Sequence, residues 1–164
     1  MGIEIERKFL IISNAWRDLA VGIDYRQGYL CASGDRTVRV RIAGDKAFLT
    51  IKGKSNGISR MEFEYAIPLE DARVLLEELC EQPIIEKKRY RINYQGFVWE
   101  VDEFFGANAG LLVAEIELAE EEQVFEKPSW VGAEVSDDRR YSNAGLVKYP
   151  FSCWEKRSAA VNNE

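Results

Sequence analysis

Charged residues recur at i, i+2 spacing along this chain, and most of the doublets carry one sign. Glu4 and Glu6 lead to Lys8; then come Arg39 and Arg41, Lys52 after Thr50, Glu62 and Glu64, Lys87 and Arg89, Glu100 and Asp102, and Glu115 and Glu117. Apolar residues fill the alternate positions, among them Ile3, Ile5, Val38, Val40, Ile51, Phe63, Trp99, Val101 and Ile116. In a strand, residues i and i+2 share a face. For a single strand the ordinary reading is a charged face in water and an apolar face on a core. Like-sign doubling strains that reading. Two like charges about 6.7 Å apart repel by roughly 0.6 kcal/mol in water and by about 2.5 kcal/mol at an effective dielectric of 20. A barrel with its charged faces turned inward removes the strain. There, carboxylate pairs chelate Mg²⁺ or Mn²⁺, hard cations that take oxygen ligands. The basic pairs cradle a polyanion, Arg as a fork and Lys as a point charge.

Elements that place these residues follow from the same alternation. Strands are expected over 3–11, 25–31, 36–43, 46–53, 60–67, 87–94, 97–104 and 111–119, separated by turn material such as Gly44-Asp45 and Gln95-Gly96. Short turns between adjacent strands imply antiparallel pairing. An amphipathic helix is expected over 69–81, with Leu69, Ala72, Leu75, Leu76, Leu79 and Cys80 on one face. Shorter helices are expected at 119–126 and at 143–148, the latter N-capped by Ser142, with one more turn at 13–19. The fold class is therefore mainly β (α+β): an eight-stranded antiparallel closed barrel with a few flanking helices.

Composition excludes several kinds of chemistry. The 164 residues suit one domain, read as 1–150, followed by a polar C-terminal tail over 151–164. No histidine is present, which removes histidine-based hydrolases and His-ligated zinc. A net charge of −6 argues against a nucleic-acid partner. No apolar run reaches the length of a membrane span, and the start of the sequence shows no secretory signal. Cys31, Cys80 and Cys153 have no metal-ligand spacing and suit a reducing cytoplasm.

The ordered motifs resemble those of the CYTH superfamily, the triphosphate tunnel metalloenzymes. Glu4-Ile5-Glu6-Arg7-Lys8 matches its ExExK signature. It is followed in order by Gln27-Gly28-Tyr29-Leu30, Arg39-Val40-Arg41, Thr50-Ile51-Lys52, Glu62-Phe63-Glu64, Glu86-Lys87-Lys88-Arg89-Tyr90, Glu100-Val101-Asp102, Glu115-Ile116-Glu117 and Arg140-Tyr141-Ser142-Asn143. The opening EIERKFL stretch is similar to that of the compact bacterial inorganic triphosphatase subgroup. The resemblance implies a barrel tunnel holding a small-molecule triphosphate with a divalent metal. It makes Glu4, Glu6, Glu115 and Glu117 the metal ligands, and Lys8, Arg39, Arg41, Lys52, Lys87, Arg89 and Arg140 the substrate-binding residues, Arg140 reaching in from a plugged end. Glu4, Glu6, Lys8 and Glu117 are the expected catalytic set. Glu62, Glu64, Glu100 and Asp102 are further tunnel acids, serving a second metal, water positioning or ion pairs. Lys54 and Arg91 match less well and are expected at the rim or in structural pairs.

The activity so implied is metal-dependent hydrolysis of inorganic tripolyphosphate to pyrophosphate and phosphate, by in-line attack of water with a tunnel carboxylate positioning it. The alternatives within the resemblance are a class IV adenylate cyclase, a thiamine triphosphatase and a non-catalytic polyphosphate-binding module. The complete set of paired carboxylates argues against binding alone. A homodimer is compatible with the sequence and is not read from it.

Overall fold

A computed structural model of the chain describes residues 2–33 and 35–154. Its strands are β1 (Gly2–Ile11), β2 (Ile23–Ala32), β3 (Arg36–Ala43), β4 (Lys46–Gly53), β5 (Ser59–Ile67), β6 (Ile85–Tyr94), β7 (Phe97–Phe104), β8 (Leu112–Glu117) and β9 (Val131–Glu134). All pairings are antiparallel, in the order β5-β4-β3-β2-β6-β7-β8-β1, and β1 also pairs with β5. The sheet thus closes into an eight-stranded barrel. β9 is an additional short strand, pairing with the end of β1 at Phe9 and Ile11.

The apolar core lies outside this barrel. Trp99, Val101, Ala114, Ile116 and Phe9 face outward and are covered by Trp16, Leu118, Phe125 and Trp130 from the segments that wrap the wall. Over β3 and β4, Val40, Ile42 and Ala47 pack against Ala72, Leu76 and Cys80. Gly28 allows that approach, because a Cβ there would lie 2.9 Å from Cys80 Cβ. The segment expected as one helix begins as α1 (Leu69–Val74) and continues over Leu75–Leu79 as a π-helical turn, in which the Cys80 amide donates to the Leu75 carbonyl at 2.9 Å. The wider turn keeps Leu76 against the barrel and turns Leu79 to solvent.

At one end the inner face itself turns apolar. Tyr29, Ile85, Phe104 and Val113 meet Leu146 and Val147 of α2 (Asn143–Lys148), which plugs the barrel there. Ser142 Oγ caps α2 by accepting from the Gly145 amide at 3.0 Å. Phe151 and Trp154 pack beside Tyr141 in the same cluster, and residues 155–164 of the expected tail lie outside the described residues. The expected turn at 13–19 is present without becoming a helix, and 119–126 is not helical. In that stretch Glu122 and Glu126 stand four apart, where like charges oppose a helix. Phe125 instead inserts against Trp99 at 5.7 Å and Phe9 at 6.1 Å between ring centroids. Among the described residues no helix is long and apolar enough to cross a membrane.

Candidate active site

The alternation that buries Ile116 and Val101 outside turns the charged doublets inward, and the register stacks them into rungs. Glu6 lies opposite Glu117, and Lys8 opposite Glu115, across β1 and β8. Glu115 in turn faces Glu100, which faces Arg91. Asp102 faces Arg89. Across β3, β4 and β5, Arg39 is level with Thr50 and Glu64, and Thr37 with Lys52 and Glu62. Apart from Thr50 and Asp102, which are fully buried in the wall, these side chains line one cavity of about 520 Å³.

Most cations in it are already held by carboxylates. Lys52 Nζ lies 3.0 Å from Glu4 and 3.5 Å from Glu62, and Arg60 Nε also reaches Glu4 at 3.5 Å. Lys8 Nζ is 3.2 Å from Glu115 and donates to the Tyr141 carbonyl at 2.9 Å. Arg89 grips Asp102 with Nε at 2.7 Å and Nη2 at 2.8 Å, and reaches Glu100 and Glu115. Lys87 Nζ donates to Asp102 at 2.8 Å and to Asn143 Oδ1 at 3.1 Å. Thr50 Oγ1 accepts from Arg39 at 3.1 Å and donates to Glu64 at 2.9 Å, and Arg91 pairs with Glu100.

The charge balance is uneven along the cavity. Burial raises the Glu4 and Glu115 carboxyls, but Lys52 more than offsets it at Glu4, and Lys8 and Arg89 do so at Glu115, so both lie below the ordinary carboxylate range. Glu6 is different: burial, then Glu115 and Glu4, push it up to about 8. Glu117 is raised by burial and by Glu4, Glu62 and Glu100. Among the described residues neither Glu6 nor Glu117 has a side-chain hydrogen bond or ion pair, and Glu6 keeps its proton near neutrality, so the acidic end is poised to release a proton to a cation that binds there. Its donors are all carboxylate oxygens, which suits a hard divalent cation. Among the described residues no three of these acids are already set to grip one ion together, and Glu4 and Glu115 are turned onto their basic partners.

Comparison with known proteins identifies the family of this barrel. The sequence model of the CYTH domain family matches residues 2–144. The chain belongs to the CYTH family. A curated relative named inorganic triphosphatase, from Acetivibrio thermocellus, is 55% identical over 151 residues, covering 92% of this chain and 97% of the relative. Another of that name, from Nitrosomonas europaea, is 36% identical over 148 residues, covering 88% and 96%. A crystal structure described as an inorganic triphosphatase superposes with a TM-score of 0.65 at 33% identity, covering 90% of this chain and 95% of that one. A structure from Bacillus halodurans described as a putative adenylate cyclase shares the fold alone, at 16% identity and a TM-score of 0.58 over 74% of this chain and 84% of that one.

In this CYTH tunnel the structure brings together Glu4, Glu6, Lys8, Arg39, Arg41, Lys52, Glu62, Glu64, Arg89, Glu100, Glu115 and Glu117 as cavity-lining residues, with Lys87 and Asp102 buried directly behind Arg89. Arg140 is not brought to the cavity. Asp138 accepts from its Nη2 at 2.7 Å, and its guanidinium stacks over Trp154 at 4.8 Å. The preceding Arg139 lines the cavity instead. Arg36, Arg60 and Tyr25 also line it and were not singled out from the sequence. Arg60 had a readable signal, since it extends the Glu62, Glu64 alternation by one step.

Proposed function

We propose that this chain hydrolyses inorganic tripolyphosphate to pyrophosphate and phosphate, using Mg²⁺ or Mn²⁺. The observation that carries this reading is the polarity of one cavity: carboxyls at Glu6 and Glu117, raised by their acidic neighbours and without an ion pair among the described residues, stand beside a basic wall of Lys8, Arg39, Arg41, Lys52 and Arg89. The name shared by the relatives at 55% and 36% identity supports it.

Glu4, Glu6, Glu115 and Glu117 would hold the metal. When bound, a divalent cation supplies charge to offset the phosphate oxygens and makes a water more acidic. The chain's residues do the rest. Lys8, Arg39, Arg41, Lys52 and Arg89 bind the triphosphate and stabilise charge on the equatorial oxygens, several of them by exchanging a carboxylate for a phosphate. Lys87 and Asp102 set the position of Arg89. The plug at α2 closes one end and limits water there. With no histidine available, a tunnel carboxylate oxygen takes the proton from the attacking water. The three unpaired thiols suit a reducing compartment.

The test is phosphate release by the purified protein with Mg²⁺ or Mn²⁺ from tripolyphosphate, ATP and thiamine triphosphate, with product analysis for cyclic AMP. Preference for tripolyphosphate is expected. Cyclic AMP from ATP, or a preference for thiamine triphosphate, would replace the reading. Tight tripolyphosphate binding without cleavage would reduce the protein to a binding module.

A further inference from the structure

Arg41 differs from the other basic residues that the strands turn into the interior of the tunnel, leaving aside the exposed Arg36 and Arg139 at its rim. Lys8, Arg39, Lys52, Lys87 and Arg89 each have a carboxylate partner within 3.5 Å. Arg41 has none among the described residues; two uncharged groups hold it instead. Its Nε donates to Gln27 Oε1 at 2.8 Å, and its guanidinium carbon sits 4.9 Å from the centroid of the Tyr25 ring. With Nε engaged and one face on a ring, the two terminal amino groups are the part left to meet an anion. The same ring lies 5.0 Å from the Arg89 guanidinium carbon and 5.9 Å from Lys87 Nζ, so one aromatic group gathers three cations that repel one another. Burial, with Arg39 and Arg89 nearby, lowers Arg41 to about 10, as befits a cation short of negative neighbours. Two further donors around it are unsatisfied: Gln27 Nε2, on a fully buried side chain, and Arg39 Nε find no acceptor among the described residues.

We infer that Tyr25 and Gln27 are positioning residues that hold Arg41 as a preformed anion subsite, able to take a terminal phosphate without breaking an ion pair and without a metal. This rests on the tripolyphosphate reading for the identity of the natural ligand. Elsewhere in the tunnel, phosphate displaces Glu4, Glu64, Asp102 or Glu115 from its partner. At Arg41 nothing is displaced, so this end of the tunnel binds first and sets the register of the chain of phosphates. An uncharged amide at position 27 is essential to the device. A carboxylate there would pair with Arg41 and fill the subsite from within.

The experiment is calorimetric titration of pyrophosphate into the full chain in EDTA, alongside steady-state kinetics with tripolyphosphate and the metal. The wild type is expected to bind pyrophosphate without metal. Gln27→Glu, which keeps shape and adds charge, should weaken that binding by about tenfold or more. Tyr25→Leu should weaken it by roughly tenfold, whereas Tyr25→Phe, which keeps the ring, should stay within about twofold. In turnover, Gln27→Glu and Tyr25→Leu should raise KM more than they lower kcat. Thermal melts establish that each variant is folded, and Gln27→Glu carries the test if Tyr25→Leu does not fold. No metal-free binding by the wild type, or equal binding by wild type and Gln27→Glu, overturns the inference. The expected binding pattern in a protein that fails to cleave tripolyphosphate upholds the subsite and overturns the proposed hydrolysis instead.

Discussion

Glu6 on β1 stands directly across from Glu117 on β8, and among the described residues neither carboxyl forms an ion pair with a basic side chain. With Glu6 pushed up to about 8, the folded chain keeps a proton there near neutrality that the unfolded chain releases, at a cost of at least about 1 kcal/mol. Glu6→Gln should therefore stabilise the metal-free protein by about 1 kcal/mol, a rise of roughly 2–4 °C in Tm. The same change should lower kcat by at least about 100-fold with Mg²⁺ or Mn²⁺, because a donor of the expected metal site is lost. A melt in EDTA and an activity assay read the two effects separately. Unchanged turnover would remove Glu6 from the metal site.

Lys87 and Asp102 have fully buried side chains and are 2.8 Å apart. Removing one member of a buried pair leaves the other charge stranded, at a cost of about 3–5 kcal/mol. Asp102→Ala strands Lys87 and leaves Arg89 with Glu100 and Glu115 alone, and should fall in that range by urea denaturation. Lys87→Met should cost less, because Arg89 still satisfies both oxygens of Asp102.

The same lysine gives stability a pH signature. Burial pushes Lys87 down to about 7; Asp102 opposes the shift, and Arg89 and Arg41 add to it. Between about 7 and the ordinary lysine value of about 10.4, the unfolded chain holds a proton that the folded chain has released. The contribution of Lys87 to unfolding free energy therefore rises with pH across that window, by at most about 1.4 kcal/mol per unit, and is flat below it. The difference between wild type and Lys87→Met in urea midpoints from pH 6 to 10 isolates the slope. A difference independent of pH would contradict the assignment.

Arg139 and Arg140 are adjacent, yet only Arg139 lines the cavity. Arg139→Ala should raise KM for tripolyphosphate by about threefold to tenfold, as expected for one exposed charge-assisted contact. Arg140→Ala should change KM less, since its guanidinium is committed to Asp138 and Trp154. The reverse order in the assay would restore Arg140 to the substrate.

This pair shows where the sequence stops being informative. Glu4, Glu6, Arg39, Arg41, Glu115 and Glu117 were legible because a strand has a two-residue period, and one buried neighbour such as Ile116 or Val40 fixes the direction of the rest. Arg139 and Arg140 sit in a 3₁₀ turn, where no such period applies, and the Asp138 side chain decides which arginine turns away. β9 escaped notice because Val131–Glu134 is only four residues long. The expected helix over 119–126 lost to a tertiary contact, the insertion of Phe125 between Phe9 and Trp99. Tyr25 was invisible for a different reason: an aromatic ring collecting cations from β3 and β6 leaves no spacing pattern in any one strand.

β1 closes the barrel, pairing with β5, β8 and β9, which all follow it in the chain. Synthesis makes this strand before all three partners, and β8 and β9 follow only after β2 to β7. Glu4, Glu6 and Lys8 must therefore wait, apart from Glu115 and Glu117, until β8 has been made. Such distant pairing slows folding. It also means that a truncated translation product carries the basic strands β3 and β4 without the second pair of acids. A copy that stops before β8 therefore cannot assemble the proposed four-carboxylate metal site.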